Sequence, residues 1–281
     1  MKQGIALVKQ YAEEIAQKPG RDQRMCELFG ICSKEPLAIN EYLKEFFEHS
    51  VRHPHGWGLA CMEGKEALIE KEPVQASKSN YLKERLSMPV CEKNVFAHIR
   101  YATIGNVEFR NCHPYSVKDE SGRRWTQIHN GTIFDFEPLA RFSAMQSGDT
   151  DSERILLYLI SEINREEKKK GGRLSGSERF LLLDSLIVQM AKGNKLNLLL
   201  FDGEYMYVHT NYAESLYCLE KQESTLFSTT PLTKEEWKPV VMNTLLGYRN
   251  GKLMFQGTRH GHTYVDSEEN LKYLYQIFSN L

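Results

Sequence analysis

The chain has 281 residues, enough for one large domain or two small ones with a substantial core. Its 36 basic and 37 acidic side chains leave a formal charge of -1, which excludes nucleic-acid or anionic-membrane binding driven by bulk charge. A hydrophobic share of 41% and a charged share of 26% exclude general disorder, and no run approaches the roughly 18 apolar residues of a membrane helix.

Residues 1–25 begin with a four-residue apolar run, Ile5–Val8, that is too short for a signal peptide, and Glu13 and Glu14 argue against a transit peptide. The stretch predicts a short amphipathic helix ending near Pro19-Gly20, then a polar linker and Met25-Cys26. Without an export signal, and at a length that needs no staples, the six cysteines read as thiols of a reducing, cytoplasmic compartment.

Leu28–Cys32 reads as a strand, and residues 37–50 place Leu37, Ile39, Leu43, Phe46 and Phe47 at helical spacing. Trp57–Met62 reads as a strand ending in a turn at Glu63-Gly64. Val95–Tyr101 alternates like a half-buried strand. Trp125–Ile128 leads to Asn130-Gly131, a dipeptide that predicts a tight turn. Thr150 with Glu153 forms a capping-box pattern, opening a helix through Ile155, Leu156, Leu159, Ile160 and Ile163. Residues 166–173 read as a solvated break and 177–192 as a second helix. Seven short strand-like segments follow (196–201, 204–210, 215–219, 225–229, 239–242, 245–248 and 252–255), with a closing helix expected over 269–280. Strands, then two helices, then strands make an α+β pattern with mostly antiparallel connections.

Five clusters combine polar chemistry with sharp turns. Each has an ordinary reading when taken alone. Cys26 in Met25–Gly30 reads as a buried small hydrophobe. In Arg52–Gly58, His53 and His55 lack the matching pair that a zinc site needs. Arg100, at a strand end before a glycine loop, suits either a carboxylate ligand or a surface ion pair. His129-Asn130-Gly131 reads as a hairpin turn and Thr150–Glu153 as a helix cap.

In order, however, Cys26–Gly30, His55–Gly58, His98–Thr103, Asn111–Tyr115, His129–Gly131 and Asp151–Glu153 resemble the class II, N-terminal nucleophile glutamine amidotransferases. Leu198–Gly203, Ser228–Leu232 and Gly247–Gly251 fit the same pattern. The chain is most similar to the stand-alone amidohydrolase domains that include the γ-glutamyl hydrolases of glutathione degradation and ergothioneine biosynthesis. The resemblance covers residues 26–281 and leaves 1–25 as an N-terminal extension. It implies a four-layer αββα sandwich with mostly antiparallel sheets, no cofactor and no metal.

It also implies roles. Cys26 is the nucleophile and, at the mature N-terminus, its own α-amino group is the base. Such an amine titrates near 7.7–8.0 and accepts a thiol proton at neutral pH, which Lys at about 10.4 does not do readily. Asn130 and Gly131 would donate to the oxyanion. Arg100 would hold the substrate's α-carboxylate and Asp151 its α-ammonium, with Arg52 as a further binding residue, while His53, His55 and His129 shape the surroundings. The substrate would be glutamine or another small γ-glutamyl compound. The resemblance consumes all of residues 26–281, so released ammonia would go to water or to a separate synthase subunit.

Because 25 residues precede Cys26, the free amine requires translation from Met25 or removal of a propeptide. If they are retained, the chain becomes a non-catalytic glutamine-binding regulatory subunit with a masked nucleophile.

Overall fold

A computed structural model describes residues 26–63, 66–102, 104–268, 270, 272 and 273. The N-terminal extension, Gly64 of the expected turn, Thr103 and most of the expected closing helix lie outside these residues. Two antiparallel sheets dominate. The first runs β11 (Lys238–Pro239), β9 (Tyr217–Lys221), β10 (Ser224–Ser228), β1 (Glu27–Ala38), β4 (Cys91–Ile99), β2 (Trp57–Glu63), β3 (Glu66–Glu72). The second runs β13 (Lys252–Gln256), β12 (Leu246–Arg249), β8 (Met206–His209), β7 (Lys195–Phe201), β6 (Arg124–Thr132), β5 (Tyr115–Lys118).

Burial orders these sheets into layers. Leu28, Cys32, Ala60 and Phe96 of the first sheet meet Ile128, Leu199, Phe201 and Val208 of the second in a central apolar core. The opposite face of the first sheet, through Phe29, Ile31 and Val95, packs on α1 (Asn40–Glu48) and α2 (Asn80–Ser87). The opposite face of the second, through Leu196, Leu198 and Leu200, packs on α3 (Asp151–Lys170) and α4 (Gly176–Ala191). The result is the α+β, αββα arrangement that the sequence led us to expect. A strand covered on both faces reads as a continuous apolar run, as Leu196–Phe201 does.

Several local expectations change for the same reason. Val95–Ile99 is buried on both faces rather than alternating, because β4 is central and sandwiched. β1 extends to Ala38, so Leu37 belongs to a strand and α1 starts only at Asn40. Asn130-Gly131 is no hairpin turn: both residues lie inside β6, paired with Asn197 and Leu196 of β7. Sheet pairing along the whole of β6 overrides the local turn preference, and Gly131 serves close packing instead, since a Cβ there would sit 2.0 Å from the Lys195 carbonyl oxygen. α3 runs through the expected break to Lys170 and ends on Gly171 in the left-handed region. β3 and α2 are elements that the sequence reading did not assign.

At the start of α3 the Thr150 hydroxyl accepts from the Glu153 amide, as the cap predicts. The Glu153 carboxylate does not close the box. It accepts from the amides of Ser147 and Gly148 instead. The complete capping box stands at Ser175 and Glu178, opening α4.

Candidate active site

Cys26 sits just ahead of β1, whose register Glu27↔Ile99 sets it beside Arg100 and Tyr101. Its half-buried thiol donates to the Tyr101 carbonyl and accepts from the Tyr101 amide, both at 3.4 Å. Burial pushes the thiol up to about 11, against a lowering by the Tyr101 hydrogen bond and by Arg100, while Asp151 adds to the rise. Both charged residues assigned from sequence are therefore close enough to act on this one sulfur. A thiol at that value is protonated at neutral pH and needs a base before it can attack.

Arg100 is 2% exposed. Its Nη1 donates to the Asn106 carbonyl at 2.8 Å, and its Nη2 to those of Ile104 and Gly105 at 2.9 and 2.7 Å. These bonds use both hydrogens of Nη2 and one of Nη1. Nε–H and the second Nη1–H remain. Among the described residues no carboxylate lies within ion-pair distance of this guanidinium, which three backbone carbonyls hold. The backbone of Arg100 is anchored in turn: its amide donates to Gly56 and its carbonyl accepts from His55. Gly56 holds φ +144, and a Cβ there would lie 2.6 Å from the Cys112 sulfur, so this approach requires glycine.

Asn130 is buried, and its Oδ1 has no hydrogen-bond partner among the described residues. Buried amide oxygens without partners are rare, and they mark sites where a ligand or water completes the set. Asp151, also buried, opens α3. Its Oδ2 accepts from the Ile133 amide at 2.9 Å and its Oδ1 from the Ser152 amide at 2.8 Å. The carboxylate thus stands at a helix N-terminus, where the macrodipole favours negative charge, and joins α3 to the segment that follows Gly131.

The remaining assigned residues are spread more widely. His55 Nδ1 accepts from the Ala102 amide at 2.9 Å, and its ring lies 5.1 Å from that of Tyr101. His53 lies 3.7 Å from Glu27. His129 Nδ1 is 2.9 Å from the Ser152 hydroxyl. Arg52 is exposed at the end of the 3-10 turn His49–Arg52.

Three groups around the site were not singled out from sequence. Glu27, next to Cys26, accepts from His49 Nδ1 at 2.8 Å and from Thr230 at 3.2 Å. Asn111 ties the Asn106 carbonyl to Asp149, donating to both at 3.0 and 3.3 Å. The rings of His98 and His113 lie 4.0 Å apart, both buried. Burial holds both well below the usual histidine range and keeps them neutral. His98 and His113 fell inside quoted motifs, and that was the available signal.

A family profile described as class-II glutamine amidotransferases matches residues 25–224. The chain belongs to the class-II glutamine amidotransferases. YafJ of Escherichia coli, provisionally named a glutamine amidotransferase, is 29% identical over 66% of this chain and 74% of its own. An uncharacterized protein of Methanocaldococcus jannaschii is 28% identical over 84% of this chain and 72% of its own. Among solved structures, a predicted glutamine amidotransferase of Pseudomonas aeruginosa aligns with TM-score 0.57 and 20% identity, covering 82% of this chain and all of that one. The glutamine phosphoribosylpyrophosphate amidotransferase of B. subtilis aligns with TM-score 0.59 and 17% identity, over 82% of this chain and 48% of that one. At such identities the structural likeness establishes the fold, the sandwich of N-terminal nucleophile amidotransferases. Among the described residues of this amidotransferase all six cysteines are free, and no helix is long and apolar enough to cross a membrane.

Proposed function

We propose that this amidotransferase domain hydrolyses glutamine or a γ-glutamyl amide, with Cys26 as nucleophile. The observation that carries the reading is the seating of the Cys26 thiol on the backbone of Tyr101, next to Arg100, whose buried guanidinium has no carboxylate partner among the described residues. Arg100 offers an uncompensated positive charge for the substrate's α-carboxylate, and Asp151 a buried negative charge for its α-ammonium. Two opposite charges at fixed spacing orient the amino-acid end and carry the γ-carbonyl to the thiol.

Once Cys26 is the first residue, its α-amino group takes the thiol proton and the thiolate adds to the γ-carbonyl carbon. The Asn130 amide and the Gly131 N–H then stabilise the oxyanion. Collapse expels ammonia or an amine, which takes the proton back from the α-ammonium, and leaves a γ-glutamyl thioester. Water, deprotonated by the same amine, adds to the thioester carbon. Collapse of that intermediate releases glutamate and restores the thiol. The raised thiol value supports a need for that base. Water as the final acceptor, rather than a synthase partner, is the simplest fate of the product.

The test is mass analysis of the purified protein's N-terminus together with a glutamine-analogue affinity label. Stoichiometric label on an N-terminal Cys26, and loss of turnover by roughly a thousandfold or more in Cys26→Ala, are the expected results. Glutamine binding without labelling, on a chain that retains residues 1–25, would replace this reading with the regulatory-subunit one. Undiminished turnover in Cys26→Ala would remove the nucleophile assignment.

A further inference from the structure

β6 carries Asn130 and Gly131, whereas Asp151 belongs to α3, and the two elements are stitched together by a set of buried bonds. Gln127 Nε2 donates to the Ser152 carbonyl at 2.7 Å. His129 Nδ1 and the Ser152 hydroxyl are 2.9 Å apart. The Ile133 amide donates to Asp151 Oδ2 at 2.9 Å. The same Ser152 hydroxyl lies 3.4 Å from Asp151 Oδ1, between the imidazole and the carboxylate. All four side chains are at most 5% exposed: Gln127 0%, His129 1%, Asp151 4% and Ser152 5%. His129 directly precedes the oxyanion pair, and Ser152 directly follows the ammonium-binding carboxylate.

Resting on the functional reading above, we propose that His129 and Ser152 are positioning residues that couple recognition of the substrate's α-ammonium at Asp151 to the placement of the oxyanion donors on β6. The coupling is physical. A cation seated on Asp151 draws on the carboxylate, the Ser152 hydroxyl and amide hold that carboxylate in place, and the hydroxyl is fixed to the residue preceding Asn130. The relay sets the imidazole proton on Nδ1: the ring then donates to the hydroxyl, whose own hydrogen is left for Asp151 Oδ1. Burial holds His129 below its ordinary range, so the ring stays neutral and adds no second charge beside Asp151. A substrate lacking the α-amino group would leave this joint unloaded and lose rate as well as affinity.

The experiment compares kcat for glutamine with kcat for its des-amino analogue, glutaric acid monoamide, in the full chain as purified. In the unaltered protein the ratio is expected to exceed unity. In Ser152→Ala it is expected to fall by about tenfold, a coupling of about 1.4 kcal/mol, while Ser152→Thr keeps the hydroxyl and the ratio. His129→Leu repeats the comparison from the other side of the bond, and serves if Ser152→Ala fails to fold. His129→Asn, with an amide near the Nδ1 position, restores part of the ratio. An unchanged ratio in Ser152→Ala or His129→Leu, whatever the loss in absolute rate, would overturn the coupling and make the bond a packing feature. Failure of the unaltered protein to turn over glutamine is a different result, which removes the functional reading and the inference with it.

Discussion

Among the described residues two arginines, Arg100 and Arg179, are almost completely withdrawn from solvent, and they are held in opposite ways. Arg179, on α4, donates from Nε to Asp202 at 2.7 Å, from Nη2 to Glu204 at 2.8 Å and from Nη1 to the Leu174 carbonyl at 2.8 Å. Asp202 also accepts from the Tyr207 hydroxyl at 2.7 Å. That guanidinium is neutralised by carboxylates inside the protein. Among the described residues Arg100 is held by three carbonyls and by no carboxylate. A buried charge is expensive unless it is paired. The first arginine therefore reads as structure and the second as a site waiting for an anion.

The contrast is broken most forcefully at Arg179. Arg179→Ala leaves Asp202, whose side chain is fully buried, without its counter-charge. Removing one partner of a buried pair costs about 3–5 kcal/mol. Denaturant unfolding should show that loss, while whatever protein remains folded should keep the KM of the unaltered chain. A shift in KM without loss of stability would invert the assignment.

At Arg100 the balance reverses. Arg100→Ala should raise KM about 10–100-fold, equivalent to about 1.4–2.8 kcal/mol of lost carboxylate binding. It should also lower stability by about 1–3 kcal/mol, because the carbonyls of residues 104–106 lose their donors. Arg100→Lys retains the charge but not the planar set of donors, and should recover only part of the KM. An unchanged KM in both variants would make Arg100 a second Arg179, an organiser of its loop with no ligand of its own.

How much of this was legible in the sequence follows from the range of the forces involved. Cys26, Arg100, Asn130, Gly131 and Asp151 were singled out because each sits in a short motif, and the fold seats the Cys26 thiol on the backbone of Tyr101, next to Arg100. The α3 cap at Thr150 was legible because it is a three-residue interaction. The strand character of Asn130-Gly131 was not: the dipeptide's turn preference is local, and the pairing with β7 that overrides it comes from residues more than 60 positions away. Likewise the Glu153 carboxylate turns to Ser147 and Gly148, a choice fixed by where the preceding loop is folded. The carbonyl shell of Arg100 and the meeting of Glu27 with His49 depend on tertiary placement that no spacing rule encodes.

Glu27 offers the smallest test, and it lies next to Cys26. Burial alone would raise its carboxyl, but the hydrogen bond from His49 and the charges of His49 and His53 outweigh that and hold it below its ordinary value of 4.5. The same hydrogen bond raises His49 above 6.5, against the effect of burial. A carboxylate with a lowered value adds stability that is present above about pH 4.5 and lost as pH falls through its folded value. A histidine with a raised value adds stability that is present below about pH 6.5 and lost as pH rises through its folded value. The two windows overlap between about pH 4.5 and 6.5, where both partners are charged. Glu27→Gln should therefore cost about 1 kcal/mol near pH 5.5 and less at pH 8, read from denaturant midpoints at the two values. By the logic of Arg179, a charge already compensated within the protein should leave KM unchanged. If Glu27→Gln instead raises KM while its stability cost stays flat with pH, the carboxylate serves the substrate rather than His49, and internal pairing would no longer separate structural charges from functional ones in this active site.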